Sequence, residues 1–524
     1  MPERAADDTS LATAAQPPDS AAPREGAIAA STLVTSITQF ATMGLGGVLA
    51  LLVGVRFGRN AETDGLFAAY GVYGLLLILA TSVRTTLPAR LLEGGETGLA
   101  LDRFLGAALG LSLAMGIPLL ALGGPLSHLL TGGLAHSAHA TARTALAVLW
   151  PAAAAQLTAA VAAAALGVRR EFALAGGAYV VGSLVAIAGM LALSGPVGID
   201  AVPIALVMGA LVTVSLPLAR LRASGWRPDP GRVLREAMRP SAATPIVVGA
   251  VAYVVSQLTF VVSIAFAARL GTGAVTTYTY AFFAAGLLVG TSAGSVGVVL
   301  AAPIARTWDR RPSSLLPHLT AVSRAGFTLL LPVMGLVAVV GDELVQLLLG
   351  NSFDAPGADK LVHTFLWLSG FVLLNVPAIV PAVAAFALGR YRAVAAAAMV
   401  AGAVHVGGSA LAVHFDDLEA VGAATSVTNV VFVGLLTAIV FGRSTGAAAL
   451  LAGRELLPPL AIAAACFALA TALGLLLGGR GFEAGAAAAV LPLYAELVRR
   501  LLPQHWDAAR RLLQPLRAGL RQSA

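Results

Sequence analysis

Fourteen stretches of the chain are apolar at nearly every position and reach the roughly 20 residues that a helix needs to cross a bilayer. They cover 29–56, 65–87, 103–123, 142–168, 173–194, 200–220, 242–268, 275–302, 320–341, 361–388, 392–414, 420–441, 456–478 and 482–502. The loops between them are short. None could hold a soluble catalytic domain, and none carries a Walker-type glycine loop for phosphate. Two polar stretches keep a helical pattern: 221–241, with RPDPGRVLREAMRPS, and the basic tail 503–524. Both read as amphipathic helices at the membrane surface, their arginines meeting anionic headgroups. Residues 1–27 mix Ala, Pro, Ser and Asp without an apolar core and predict a disordered tail, not a signal peptide.

Composition agrees with the pattern. Of 524 residues 58% are hydrophobic and 11% charged, against about 25% charged in a soluble domain. The fold class is therefore an all-α polytopic membrane protein. The net charge of +7 would suit nucleic acid in a soluble chain. In a membrane protein excess arginine reports topology instead, and no nucleic-acid partner is expected. With both termini in the cytoplasm, only Arg56, Arg59, Arg143, Arg269, Lys360 and Arg480 of the 33 basic residues fall outside. The outer loops are acidic, with Asp342/Glu343, Asp354/Asp359 and Asp416/Asp417/Glu419. The one cysteine, Cys466, lies in an apolar segment, so no intrachain disulfide or cysteine metal cluster can form. No cofactor is expected.

The chain repeats. RFGRNAETDGLFAA (Arg56–Ala69) lies over RLGTGAVTTYTYAF (Arg269–Phe282) with Arg, Gly, Ala61/Ala274, Thr63/Thr276 and Ala68/Ala281 in register. LWPAAAAQL with AALGVRREF, from Leu149 to Phe172, likewise resembles LWLSGFVLL with FALGRYRAV, from Leu366 to Val394. Each pair occupies the same place in a six-helix unit. The expected organisation is an N-lobe over 28–220, a surface linker at 221–241, a C-lobe over 242–441 and two added helices within 455–502. Parallel repeats about a central cavity suit alternating access.

These segments also carry a family resemblance. FGRNAETDGLFAA followed by TTLPARLLEGGE resembles the first span junction and second helix of the MurJ (MviN) lipid II flippases, within the multidrug/oligosaccharidyl-lipid/polysaccharide exporter superfamily. Further similarity runs through MRPSAATPIVVGAVAYVVSQLTFVVSIAFAARLGTGAV, LLGNSFDAPGADKLVHTFLWLSGF and AFALGRYRAV, in order to about span 12. The resemblance implies two six-helix lobes around a cavity, a groove for a lipid tail beside the last two helices, and transfer of a polyprenyl-diphosphate-linked sugar to the outer leaflet. It implies bacterial cytoplasmic-membrane residence, a lipid-linked glycan substrate and cell-wall synthesis proteins as candidate partners. The family's cavity arginines fall on Met43, Leu49 and Leu77; its Asp late in span 7 on Ser263; its Asp-Arg pair in span 8 on Phe282 and Phe283. Asp64, Ser256-Gln257 and Pro88 are retained.

Several residues stand out as site candidates, each beside a plainer role. Asp64, with Glu62, is a gating or ion-coupling carboxylate at the outer mouth paired with Arg56 or Arg59; otherwise Thr63 and Asp64 merely cap a helix. Arg56 and Arg269 match across the repeat and either face the cavity or snorkel to the outer interface. Arg84 ends about 19 apolar or small residues of span 2; it offers a planar donor fork to a phosphate, or is a cytoplasmic-end arginine. Gln39 and Gln257 are substrate-binding candidates. With Gln156, Ser256, Asn375, His405 and Asn429 they also suit hydrogen bonding between helices. Glu496 is expected to pair with Arg499 or Arg500. Gly286, Gly290 and Gly294 read as a close-packing face. His128, His136 and His139 have no zinc spacing.

Four functions compete: a lipid-linked glycan flippase driven by an ion gradient or the membrane potential, a drug or metabolite antiporter on the same fold, a membrane glycosyltransferase, and a non-transporting scaffold. The short outer loops argue against the glycosyltransferase.

Overall fold

A computed structural model describes residues 25–93, 97–169, 171–290, 292, 311–477 and 480–511. Among them there are helices and no strands. The helices are α1 (Glu25–Phe57), α2 (Ala61–Glu93), α3 (Thr97–Ala121), α4 (Gly123–Thr131), α5 (His136–Val168), α6 (Phe172–Leu193), α7 (Ala201–Ala223), α8 (Pro230–Ala237), α9 (Pro240–Ala267), α10 (Ala274–Val289), α11 (Leu316–Leu349), α12 (Ala355–Trp367), α13 (Ser369–Ala387), α14 (Tyr391–His414), α15 (Leu418–Phe441), α16 (Thr445–Leu477) and α17 (Arg480–Leu501).

Each of the fourteen predicted spans is occupied by helix, with α12 and α13 sharing the tenth. Among the described residues ten helical runs are long and apolar enough to cross a membrane by themselves, one of them running from α15 into α16. The predicted tail up to residue 24, the far half of span 8 with Gly294, and the basic tail beyond 511 lie outside the described residues. The end of the bundle bearing Asp64 is the one the arginine distribution assigns to the exterior, and it is called the outer end below.

The N-lobe packs α2 against α5, α5 against α7 and α6 against α7. Contact between α2 and α5 is close because Gly65 has no side chain: a Cβ there would lie 2.2 Å from the Ala138 carbonyl oxygen. In the C-lobe α14 packs on α15 and α9, and α13 on α15. Helix α8 is the predicted surface helix. Asp229 caps it, accepting from the Gly231 and Arg232 amides, and buried Asp102 of α3 ties its approach by accepting from the Trp226 indole at 3.2 Å.

Helices α16 and α17 pack on α11. Their anchor is polar. Arg324 of α11 donates twice to Glu455 of α16, at 2.7 and 2.9 Å. His505, beyond α17, donates to the Glu455 carbonyl at 3.1 Å. Glu496 pairs with Arg499 and Arg500, as expected.

The lobes meet along α2 and α9, which run antiparallel. Gly71 faces Ile264, Gly74 faces the Gln257 amide, and Ser82 donates to the Ile246 carbonyl at 2.9 Å. Contact thus extends from the outer end into the opposite half of the bundle.

Candidate functional site

The charge knot at the start of α2 proves to be the tie between the lobes. Its capping does not fall to Thr63 and Asp64 as a pair. Asn60 takes it: its side-chain oxygen accepts from the Glu62 and Thr63 amides at 2.9 and 3.0 Å, and Thr63 accepts from the Asn60 amide at 2.9 Å. This reciprocal box satisfies α2 locally and leaves Asp64 free to reach elsewhere.

Asp64 reaches the other lobe. Its carboxylate, fully buried, accepts from the Gly273 amide at 2.5 Å, the Thr276 amide at 2.8 Å and the Thr276 hydroxyl at 2.6 Å. Gly273 is the position before α10, held at φ +86° where only glycine is comfortable, and no side chain of its own lobe caps that helix. The repeat explains the arrangement. Asn60 and Gly273 are equivalent positions, but Gly273 has no side chain to cap with. Asp64 supplies the missing cap from across the interface, where a carboxylate also meets the positive end of the helix dipole. The equivalent threonines touch as well, their hydroxyl oxygens 3.2 Å apart.

Arg59 completes the tie, which we call the outer latch. Its Nε donates to the Gly273 carbonyl at 3.2 Å and its terminal nitrogen to Asp354 at 3.4 Å. Ser352 donates to the Val55 carbonyl at 3.1 Å. Arg59 belongs to the charge knot, but sequence offered no reason to prefer it to Arg56.

The remaining candidates are scattered. Glu62 and Arg56 are exposed. Arg269 is exposed too, its guanidinium 4.9 Å from the Phe266 ring centre. Gln257 packs on Gly74. Arg84 is half-buried, with its guanidinium 3.6 Å from the Tyr179 ring centre, a cation–π contact. Its Nε and the Tyr179 hydroxyl are both buried with no hydrogen-bond partner among the described residues. The side chains of Gln39, Ser256 and Pro88 lie outside the described residues. A Cβ at Gly290 would strike Met43, whereas a Cβ at Gly286 would meet nothing within 4 Å among the described residues, so the close approach is at Gly290.

Beneath the latch the seam is aromatic. Phe67 stands edge-on to Tyr280 at 5.4 Å and to Phe283 at 6.2 Å. Tyr70 contacts Phe283 at 5.6 Å, and Phe282 stacks on Phe260 at 4.4 Å. Leu49 and Leu77 pack against the same core. Leu49, Leu77, Phe282 and Phe283, positions that read as charged in the resemblance, thus join one apolar layer, with ring pairs worth about 0.5–1.5 kcal/mol each beyond their burial.

Two helical lobes meeting along one seam, with polar ties at its outer end, are the architecture of a membrane transporter. The MOP superfamily has this fold: a MATE multidrug transporter of that superfamily, in an inward-facing conformation, matches 81% of this chain and 98% of its own at 18% identity and TM-score 0.59. A MOP superfamily transporter from Pyrococcus furiosus matches 81% and 96% at 17% identity and TM-score 0.52. The lipid II flippase MurJ, in an inward closed conformation, matches 90% of this chain and 100% of its own at 16% identity and TM-score 0.72. The family model for lipid II flippase MurJ spans residues 97–488, and the chain belongs to that family. No curated protein matches it in sequence.

Proposed function

We propose that this protein moves a polyprenyl-diphosphate-linked cell-envelope precursor, of the lipid II kind, from the inner to the outer leaflet by alternating access. The N-lobe (28–220) and C-lobe (242–441) rock about the seam, with 221–241 as the surface linker and both termini cytoplasmic. No ATP-binding loop is present in the sequence, so an ion gradient or the membrane potential drives the cycle; one charge crossing 100 mV supplies about 2.3 kcal/mol.

The observation that carries this reading is the Asp64 latch. A buried carboxylate caps a helix of the opposite lobe, so the outer end can open by breaking contacts between the lobes without unravelling either one. Arg84, with an unpartnered buried Nε in the half of the bundle away from the latch, is the donor proposed to meet the diphosphate. Lipid-linked glycan is the substrate; cell-wall synthesis proteins are candidate partners.

The aromatic seam favours a second reading, an antiporter for an apolar or cationic drug or metabolite, since Phe67, Tyr70, Phe282 and Phe283 give stacking surfaces in place of anion receptors. Depleting the resident lipid II flippase of a bacterial host and expressing this chain separates the two. Rescue of growth, lost in Arg84→Ala at equal membrane abundance, supports the flippase. A well-expressed wild type that fails to rescue overturns it and directs the search to small-molecule efflux.

A further inference from the structure

We infer that a buried cluster inside the C-lobe, centred on His405, is a proton-binding site whose occupancy opens the outer latch. The inference rests on the transport reading above and names the coupling ion and its seat.

Four helices build the cluster. His405 of α14 is fully buried; its Nε2 lies 2.9 Å from the Ser263 hydroxyl of α9 and its Nδ1 3.1 Å from the Thr428 hydroxyl of α15. Tyr278 of α10 donates to Ser263 at 2.8 Å and stands 2.8 Å from the Thr425 hydroxyl. One ring proton can be placed from these bonds. Thr428 spends its hydrogen on the Ala424 carbonyl at 2.7 Å, so it accepts from His405 and Nδ1 carries the ring proton. In the neutral ring Nε2 accepts from Ser263, and in the imidazolium it donates to Ser263. We assign the neutral ring to the closed state, because a buried imidazolium with no counter-charge is disfavoured; the ring lies nine residues or about 14 Å from the outer end of α14.

The cluster has the parts a proton needs. A proton arriving at Nε2 adds one positive charge and breaks no covalent bond. Ser263 turns its hydrogen away, and the Thr425 oxygen is 3.4 Å off to receive it. The Thr259 and Ala424 carbonyls also face the ring. One turn outward on the same face of α14, the Ser409 hydroxyl is fully buried with no partner among the described residues. It is the first group available to pass a proton from the outer side.

Among the described residues no carboxylate balances the charge. Tyr278 of α10 is the titratable group beside His405 in the cluster. Glu419 stands half-buried at the outer end of α15, where it accepts from the Trp367 indole, and Asp417 is the residue just before that helix. Helices α9 and α13 carry no charged residue, and the phenol Tyr253 of α9 is ten residues from Ser263. On α14 itself Tyr391 and Arg392 are at one end and His414 at the other. An imidazolium without a counter-charge favours the arrangement that brings it water. The closed seam does not, so protonation draws the equilibrium toward the outward-open form.

Helix α10 links the two events. Thr276 holds Asp64, Tyr278 holds Ser263, and the Tyr280 hydroxyl donates to the Ala50 carbonyl of α1 at 2.7 Å. Reversal of the Ser263 hydrogen bond displaces the turn that the latch grips. A purely structural cluster, gluing helices together, has no such pH dependence.

The test uses the full chain with Cys466→Ala in proteoliposomes, spin-labelled at Ser137→Cys and Asp359→Cys, both exposed at the outer ends of the two lobes. Pulsed EPR reads the inter-label distance from about pH 8 to pH 5, the range where histidine titrates. The open-to-closed ratio is expected to rise by about 10-fold or more, and His405→Gln to hold it at its pH 8 value. A ratio flat with pH, or a full shift in His405→Gln, overturns the proposal. Should His405→Gln not assemble, Tyr278→Phe carries the test: it cuts the relay and should reduce the shift, and a full shift there overturns the coupling. Flipping of lipid II in the same vesicles is scored separately. Loss of flipping with His405-dependent opening intact overturns the cargo and leaves the proton site standing; flipping that ignores both pH and His405→Gln does the reverse.

Discussion

Asp64→Asn tests whether the latch holds the outer end shut. The carboxylate accepts three hydrogen bonds at 2.5, 2.8 and 2.6 Å. Bonds to a charged group contribute about 1.5–3 kcal/mol each, although burying the carboxylate cancels part of that sum. An asparagine keeps one acceptor for Thr276 and turns an NH₂ group toward the Gly273 amide. One bond is lost and one donor stranded, a net weakening of about 2–3 kcal/mol, or a factor of roughly 30–150 in the closed-to-open ratio. If the wild type is about 99% closed at pH 8, the open fraction should rise to about 25–60%. The outer-end label pair reads this directly. An open fraction unchanged in a well-folded Asp64→Asn protein would refute the idea that Asp64 carries the closure. Arg59→Ala is the internal control. Its ion pair with Asp354 is solvent-facing at the aspartate, 67% exposed, and such pairs contribute about 0–1 kcal/mol; with its one bond to the Gly273 carbonyl also lost, the ratio should still move less than in Asp64→Asn.

Two further outcomes follow from the packing. Arg324→Ala leaves the buried Glu455 carboxylate without its bidentate partner and should destabilise the solubilised protein by about 2–4 kcal/mol, seen as a lower midpoint in thermal unfolding; the double variant Arg324→Met/Glu455→Leu should recover most of the loss. Gly65→Ala would force a Cβ to 2.2 Å from the Ala138 carbonyl, pushing α2 off α5, and should show as reduced folded protein in fluorescence-detected gel filtration.

Much of the scaffold was legible in the chain. Apolar runs and arginine placement located fourteen helical segments because bilayer crossing demands uninterrupted apolar length. The repeat located the equivalent ends of α2 and α10. What the chain could not disclose was the partner of Asp64. That residue binds Gly273 and Thr276, 209 and 212 positions away, and local rules read it as a cap for its own helix. It is indeed a cap, but for a helix in the other lobe, because Asn60 had already satisfied α2. His405 showed the same limit: its expected hydrogen bonding to neighbouring helices is present, yet the tautomer depends on Thr428 and Ala424, which no pattern singles out. Arg324 and Glu455 gave no signal at all, 131 residues apart and each ordinary as a cytoplasmic-end charge.

The clamp of Arg324, Glu455 and His505 has a mechanical corollary. It rivets α16, and through it α17, to the flank of α11. In the proposed cycle those last two helices would travel with the C-lobe as an outrigger, giving the two halves of the machine unequal mass and unequal reach into the lipid. A reporter fused beyond residue 511 would follow one half of the stroke only, and any hydrocarbon chain resting along the outrigger would be carried sideways by the C-lobe rather than slid past by both.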